Sequence, residues 1–281
     1  MAASRIARRL PSGGNNEPMK TLIVLDKSYL QGATREEINK LCGDYTVLMP
    51  EALFFELLTT QEKVRTACFR KLPAVENPVE LITHIGALLA HEVETHTPAT
   101  PVHGRYTRMR FVFNSRLSSG SFNLSEEQRA GIVGWERDIA ESVAEFKERA
   151  AVTDRWFPSL AGYRPGMPKD GIEKLRQAIG TDSQMIRDIY DAIRHASFPP
   201  AAVLDERWAF YRWVQVQLLA VLEYIRRYGI GNALEASWRI PNDVIDMQYT
   251  TTGSLVGALA SRDAVVQETF KLLCPDGQLV F

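Results

Sequence analysis

Only three cysteines occur in the 281 residues, Cys42, Cys68 and Cys274. They are odd in number, far apart and without paired metal spacing, which excludes a disulfide scaffold and predicts buried free thiols in a reducing compartment. Net charge is equally scarce, at −1. Such a chain has no global field to gather a nucleic acid, so a partner of that kind must be held by local basic patches. Long apolar runs are missing too. The longest, Val214 to Ile225, is broken by Gln215, Gln217 and Glu223, which excludes a spanning helix. The start of the chain carries Arg5, Arg8 and Arg9, then Pro11-Ser12-Gly13-Gly14-Asn15-Asn16, and lacks the apolar core of a signal peptide. Residues 1–19 therefore read as a flexible tail, and the cytoplasm is the expected compartment. No G-x-x-x-x-G-K-[ST] phosphate loop, G-x-G-x-x-G fingerprint or G-x-S-x-G elbow is present.

What is present begins with Thr21-Leu22-Ile23-Val24-Leu25-Asp26-Lys27-Ser28. A continuous apolar run of this kind predicts a strand buried on both faces, as in a parallel sheet covered by helices. In such sheets ligands bind at the carboxyl ends of the strands, where Asp26 falls; the simpler role for Asp26 is to cap the next helix. Thr34 to Cys42 reads as a short helix with Thr34 and Glu37 as its capping box. Tyr45 to Met49 reads as a second strand, and Pro50 opens a helix running to about Gln61. This alternation starts a parallel α/β sheet. Within that helix Glu56 lies in Leu53-Phe54-Phe55-Glu56-Leu57-Leu58, where a buried charge must be paired or bind metal. Glu51, in the first turn, suits the helix dipole without any function.

Near the other end, Ile240-Pro241-Asn242 signals a helix start. Asp243 and Asp246 follow three apart, on one helical face. Val256 to Ala260 is a further short apolar run, ended by Ser261-Arg262-Asp263, and Gly277 to Phe281 reads as a last strand. Two strands ending in aspartate, with a helix presenting two more, bring several carboxylates to one sheet edge. Hard divalent cations need such a set of oxygens.

The segments Leu25-Asp26-Lys27-Ser28, Phe54-Phe55-Glu56-Leu57-Leu58, Asn242-Asp243-Val244-Ile245-Asp246 and Ala260-Ser261-Arg262-Asp263 together resemble the PIN-like family of metal-dependent nucleases. Lys27 stands where that family more often has a small or hydroxyl residue. The resemblance covers residues 20–60 and 240–281. It implies a three-layer α/β domain with a parallel sheet; the span 61–239 between its two parts reads, from its own pattern, as a large all-helical insertion that caps the site. It also implies Mg²⁺ or Mn²⁺ held by Asp26, Asp246 and Asp263, with Glu56 and Asp243 as ligands or water-orienting groups. The implied activity is hydrolysis of phosphodiesters in RNA, or in single-stranded DNA, by an endonuclease.

The span 61–239 is almost uniformly helical in pattern, with amphipathic stretches at Val79–His96, Ser125–Val152 and Asp182–His195. A long aromatic stripe, Leu204–Tyr228, is expected to be core. His91-Glu92-Val93-Glu94-Thr95-His96 has one residue too many for HExxH, so its histidines point to different faces. Arg105, Arg108 and Arg110, interleaved with Tyr106, Phe111 and Phe113, are the candidate phosphate contacts. The same alternation also describes a half-buried strand with arginines in water. Two further readings stand beside the nuclease. One is a catalytically silent scaffold whose insertion binds a protein or nucleic-acid partner. The other is a phosphatase-like enzyme with Asp26 as nucleophile, which lacks a second acid because position 28 is Ser.

Overall fold

In the computed structural model, which describes residues 20–101, 125–230 and 239–281, the first apolar run becomes strand β1 (Thr21–Leu25). Asp26 then caps α1 (Lys27–Gly32), and Thr34 starts α2 (Arg35–Asp44) through the predicted reciprocal box with Glu37. Strand β2 (Tyr45–Pro50) leads into α3 (Glu51–Thr59) and α4 (Glu62–Lys71). After β3 (Glu80–Ile82) the chain is helical. It forms α5 (Ile85–Thr95), α6 (Glu126–Ala151), α7 (Thr153–Trp156), α8 (Asp170–Thr181), α9 (Ser183–Ile193), α10 (Ala209–Tyr228) and α11 (Ile240–Val256). Strand β4 (Ala258–Ala260), α12 (Ala264–Leu273) and β5 (Gln278–Val280) complete it.

All five strands are parallel, in the order β3-β2-β1-β4-β5. Strand β1 is central: Ile23 lies opposite Val47 of β2, and Val24 opposite Leu259 of β4. Side chains alternate between the faces, as the pleat requires. Ile23, Leu25, Val47, Met49 and Ala260 pack with Leu30, Ile38, Phe54, Leu57 and Phe69 from α1 to α4. Val24, Leu48, Ile82 and Leu259 pack with Val266 and Phe270 of α12. A separate apolar core gathers on α10, where Trp208, Phe210, Trp213, Leu218 and Tyr224 meet α8 and α9. The aromatic stripe is core, as its spacing predicts.

The span 61–239 is not wholly helical. It supplies β3, whose Leu81 lies opposite Met49, so the sheet draws on a segment between the two predicted halves. Val79–His96 is accordingly a short strand followed by α5, and not one amphipathic helix. Three residues are too few to show a period of two, and pairing with β2 decides the state. Strand β4 starts at Ala258, because Gly257 adopts a left-handed conformation (φ +80°) and ends α11 there. One long-range device ties α5 to α10. The buried carboxylate of Glu92 accepts the backbone N–H groups of Ala209 (2.7 Å) and Phe210 (3.0 Å), at the exposed-donor end of α10, and that of Ala99 (3.0 Å). Among the described residues no helix is long and apolar enough to cross a membrane. Residues 1–19, read as a tail, lie outside the described residues.

Candidate functional site

From β1 the chain winds outward in one direction through β2 and β3, and from β4 in the other to β5. The carboxyl ends of β1 and β4 therefore flank the switch point where parallel sheets place their ligands. Asp26 sits there, 1% exposed, its backbone N–H donating to the Ala260 carbonyl (3.0 Å). Its Oδ2 accepts from the hydroxyls of Ser28 and Ser261, both at 2.5 Å, and Oδ1 accepts from the Ser28 N–H at 3.2 Å. Burial pushes its pKa up, and the two hydroxyls restrain the rise. Ser28 Oγ in turn accepts from the N–H groups of Arg262 (2.9 Å) and Asp263 (3.1 Å). One hydroxyl thus stitches the end of β1 to the turn after β4.

Glu56, on α3, receives the Lys27 ammonium at 2.7 Å and the Tyr249 hydroxyl of α11. The burial that motivated a pairing requirement is met by a cation and a phenol. Asp243 accepts from the Tyr224 hydroxyl of α10, and burial raises its pKa. Asp263 caps α12, its Oδ1 accepting from Val265 (2.8 Å) and Val266 (3.0 Å). Asp246 differs from the other four. No described side chain donates a hydrogen bond to it, and its pKa is pushed up to about 9. Burial is the larger cause; the charges of Asp26, Asp263, Glu56 and Asp243 add to it.

Of the five acids predicted from the sequence, Asp246 lies in the field of the other four. Asp243, Asp246 and Asp263 line a cavity of about 630 Å³, which is also lined by Arg176 of α8, Glu223 and Arg227 of α10, and Arg239. Lys27 and Glu56 line a second cavity of about 610 Å³, and Asn242 borders both. Among the described residues, no three His, Cys, Asp or Glu side chains stand close enough to hold a metal ion in their present positions. Arg105, Arg108 and Arg110 lie outside the described residues.

Sequence reasoning missed Tyr224, Tyr249 and the arginines of the first cavity. Tyr249 stands three residues after Asp246, a spacing that places it on the same helical face. Tyr224 was hidden in the aromatic stripe, and Arg176 in an ordinary amphipathic helix.

Fold and site together define a doubly wound parallel α/β protein with an acidic switch point. No family model, curated protein or solved structure matches the chain.

Proposed function

We propose that this chain is a PIN-like nuclease that hydrolyses phosphodiester bonds of RNA with Mg²⁺ or Mn²⁺, acting as an endoribonuclease in the cytoplasm, where its three free cysteines stay reduced. The observation that carries the reading is the placement of Asp246 at the switch point, in the field of four further carboxylates and facing a cavity. Like charges so arranged oppose their own ionisation, and a dication relieves that opposition. The donor set is oxygen only, which suits hard divalent cations. Asp26, Asp246 and Asp263 would hold the ion, with Glu56 and Asp243 beside it. When bound, such an ion lowers the pKa of a water and neutralises the phosphodiester.

The chain's own groups do the remaining work. Ser28 and Ser261 fix the Asp26 carboxylate, and the α12 N–H groups fix Asp263. Lys27 and Tyr249 hold Glu56 at the border of the second cavity, where it can orient a water. Tyr224 holds Asp243 against the first cavity. An RNA strand entering either cavity would meet a cation, Lys27 in the second and Arg176, Arg227 or Arg239 in the first.

The test is cleavage of labelled single-stranded RNA and DNA by the purified chain with Mg²⁺, Mn²⁺ or EDTA, alongside Asp26→Asn. RNA should be cut in either metal, EDTA should stop the reaction, and the folded variant should lose at least about 10³-fold in rate, as expected when a ligand essential to metal-assisted chemistry is removed. Wild-type rates from folded Asp26→Asn would sink the mechanism. A second reading, a silent scaffold with a partner for its helical part, draws on the internal satisfaction of four of the acids and the Lys27–Glu56 pair. It predicts no cleavage in either metal and no affinity of the acidic edge for Mn²⁺.

A further inference from the structure

Among the described residues two arginines are buried in the helical part of the molecule, and they are used differently. Arg212, 7% exposed, is satisfied by the protein: it donates to the Glu206 carbonyl (3.1 Å), the Gln215 side chain (3.1 Å) and the Leu273 carbonyl (3.1 Å). Arg176, 9% exposed, donates no hydrogen bond to any described residue. Its ion pairs are long and lie at the surface, 3.7 Å to Glu173 and 3.9 Å to Glu268, both acids being mostly exposed. A guanidinium carries five N–H donors in a planar fork, and at 3.7 and 3.9 Å neither acid takes one of them as a hydrogen bond. The side chain lines the cavity of about 630 Å³ that also holds Asp243, Asp246 and Asp263. Arg227 lines the same space, its Nε committed to Glu223 at 2.5 Å.

We propose that Arg176, supported by Arg227, is a phosphate subsite: it binds a backbone phosphate of a single-stranded RNA next to the bond presented to the acids. The fork matches two oxygens of a phosphate, and the two long ion pairs to Glu173 and Glu268 are all that such a ligand has to displace. The cavity is of ligand-enclosing size, so the phosphate and the acidic edge are reached by one bound strand. Its position on α8 gives the helical part of the chain a role in holding the strand. Only the name of the strand rests on the nuclease reading; the anion site rests on Arg176 itself.

The experiment measures anisotropy of a labelled single-stranded oligoribonucleotide in EDTA at pH 6.5, with inorganic phosphate as competitor. Wild type, Arg176→Gln, Arg176→Lys and, as control, Arg35→Gln on the exposed side of α2 are compared. Wild type should bind, and phosphate should compete. Arg176→Gln should weaken binding about tenfold or more and lower the salt slope by about one. Arg176→Lys should fall between, since it keeps the charge and loses the fork, and Arg35→Gln should match wild type. Unchanged affinity and slope in Arg176→Gln overturns the subsite, as does a wild type that binds neither probe. If Arg176→Gln does not fold, Arg176→Lys decides, and wild-type affinity there overturns the proposal. Arg176-dependent binding without cleavage in Mg²⁺ or Mn²⁺ removes the nuclease and keeps the subsite. Cleavage with an unaltered KM in Arg176→Gln does the reverse.

Discussion

At the scale of single residues, Asp246 carries the most consequence. Its pKa in the folded protein, about 9, lies above the ordinary aspartate value of 3.8, so folding favours its protonated form. Its contribution to stability is therefore complete below the unfolded pKa and is lost as pH rises through the folded one. Metal-free protein should lose stability between about pH 4 and pH 9, with a slope of at most about 1.4 kcal/mol per pH unit. Urea titrations at pH 5, 7 and 8.5 should show that loss in wild type and a flatter profile in Asp246→Asn. An equally steep profile in the variant would mean that another group sets the trend. Mn²⁺ should restore wild-type stability at pH 8.5 and do little for the variant. The acids themselves were legible in the sequence, because each follows or interrupts an apolar run. Their partners were not. That Glu56 meets Lys27 and Tyr249, or that Asp263 also serves as a helix cap, depends on elements far apart in the chain.

Among the elements, legibility followed length. The capping box of α2 and the proline-led start of α11 are local signals, and both formed where the residues placed them. Strand β3 was hidden because its state is decided by an edge vacancy on β2. Two contacts between elements give measurable consequences. Glu92 holds the first N–H groups of α10 from α5; Glu92→Ala leaves buried donors without acceptors and should cost about 2–3 kcal/mol in urea unfolding. Gly253, where α11 crosses the sheet, has room for little else: an added Cβ would stand 3.2 Å from Leu259 Cβ and Cδ1. Gly253→Val should therefore destabilise by about 1–3 kcal/mol through overpacking. A variant as stable as wild type would show that β4 yields there.

For the molecule as a whole, the central pairing joins distant parts of the chain, since Ser261 binds Asp26 across 235 residues. A chain ended after Gly257 keeps β1 but removes β4, leaving Leu22–Leu25 as an open apolar edge. It should elute as aggregates in size-exclusion chromatography under conditions where the full chain is monodisperse. That two terminal segments share one sheet was readable from their matching strand-then-acid pattern. That the sheet also needs residues 80–82 was not, because a three-residue strand takes its meaning from its neighbour.

The same pairing sets a clock on synthesis. A ribosome adding 5–20 residues per second needs roughly 10 to 50 s to pass from Asp26 to Ser261. Throughout that interval the nascent chain carries β1 without its second neighbour, and Asp243, Asp246 and Asp263 are added only at its end. The nuclease proposed above would lack three of its acids until that point, and its central strand waits for β4 to cover its open edge. That delay is also the period in which the unfinished chain most needs a chaperone.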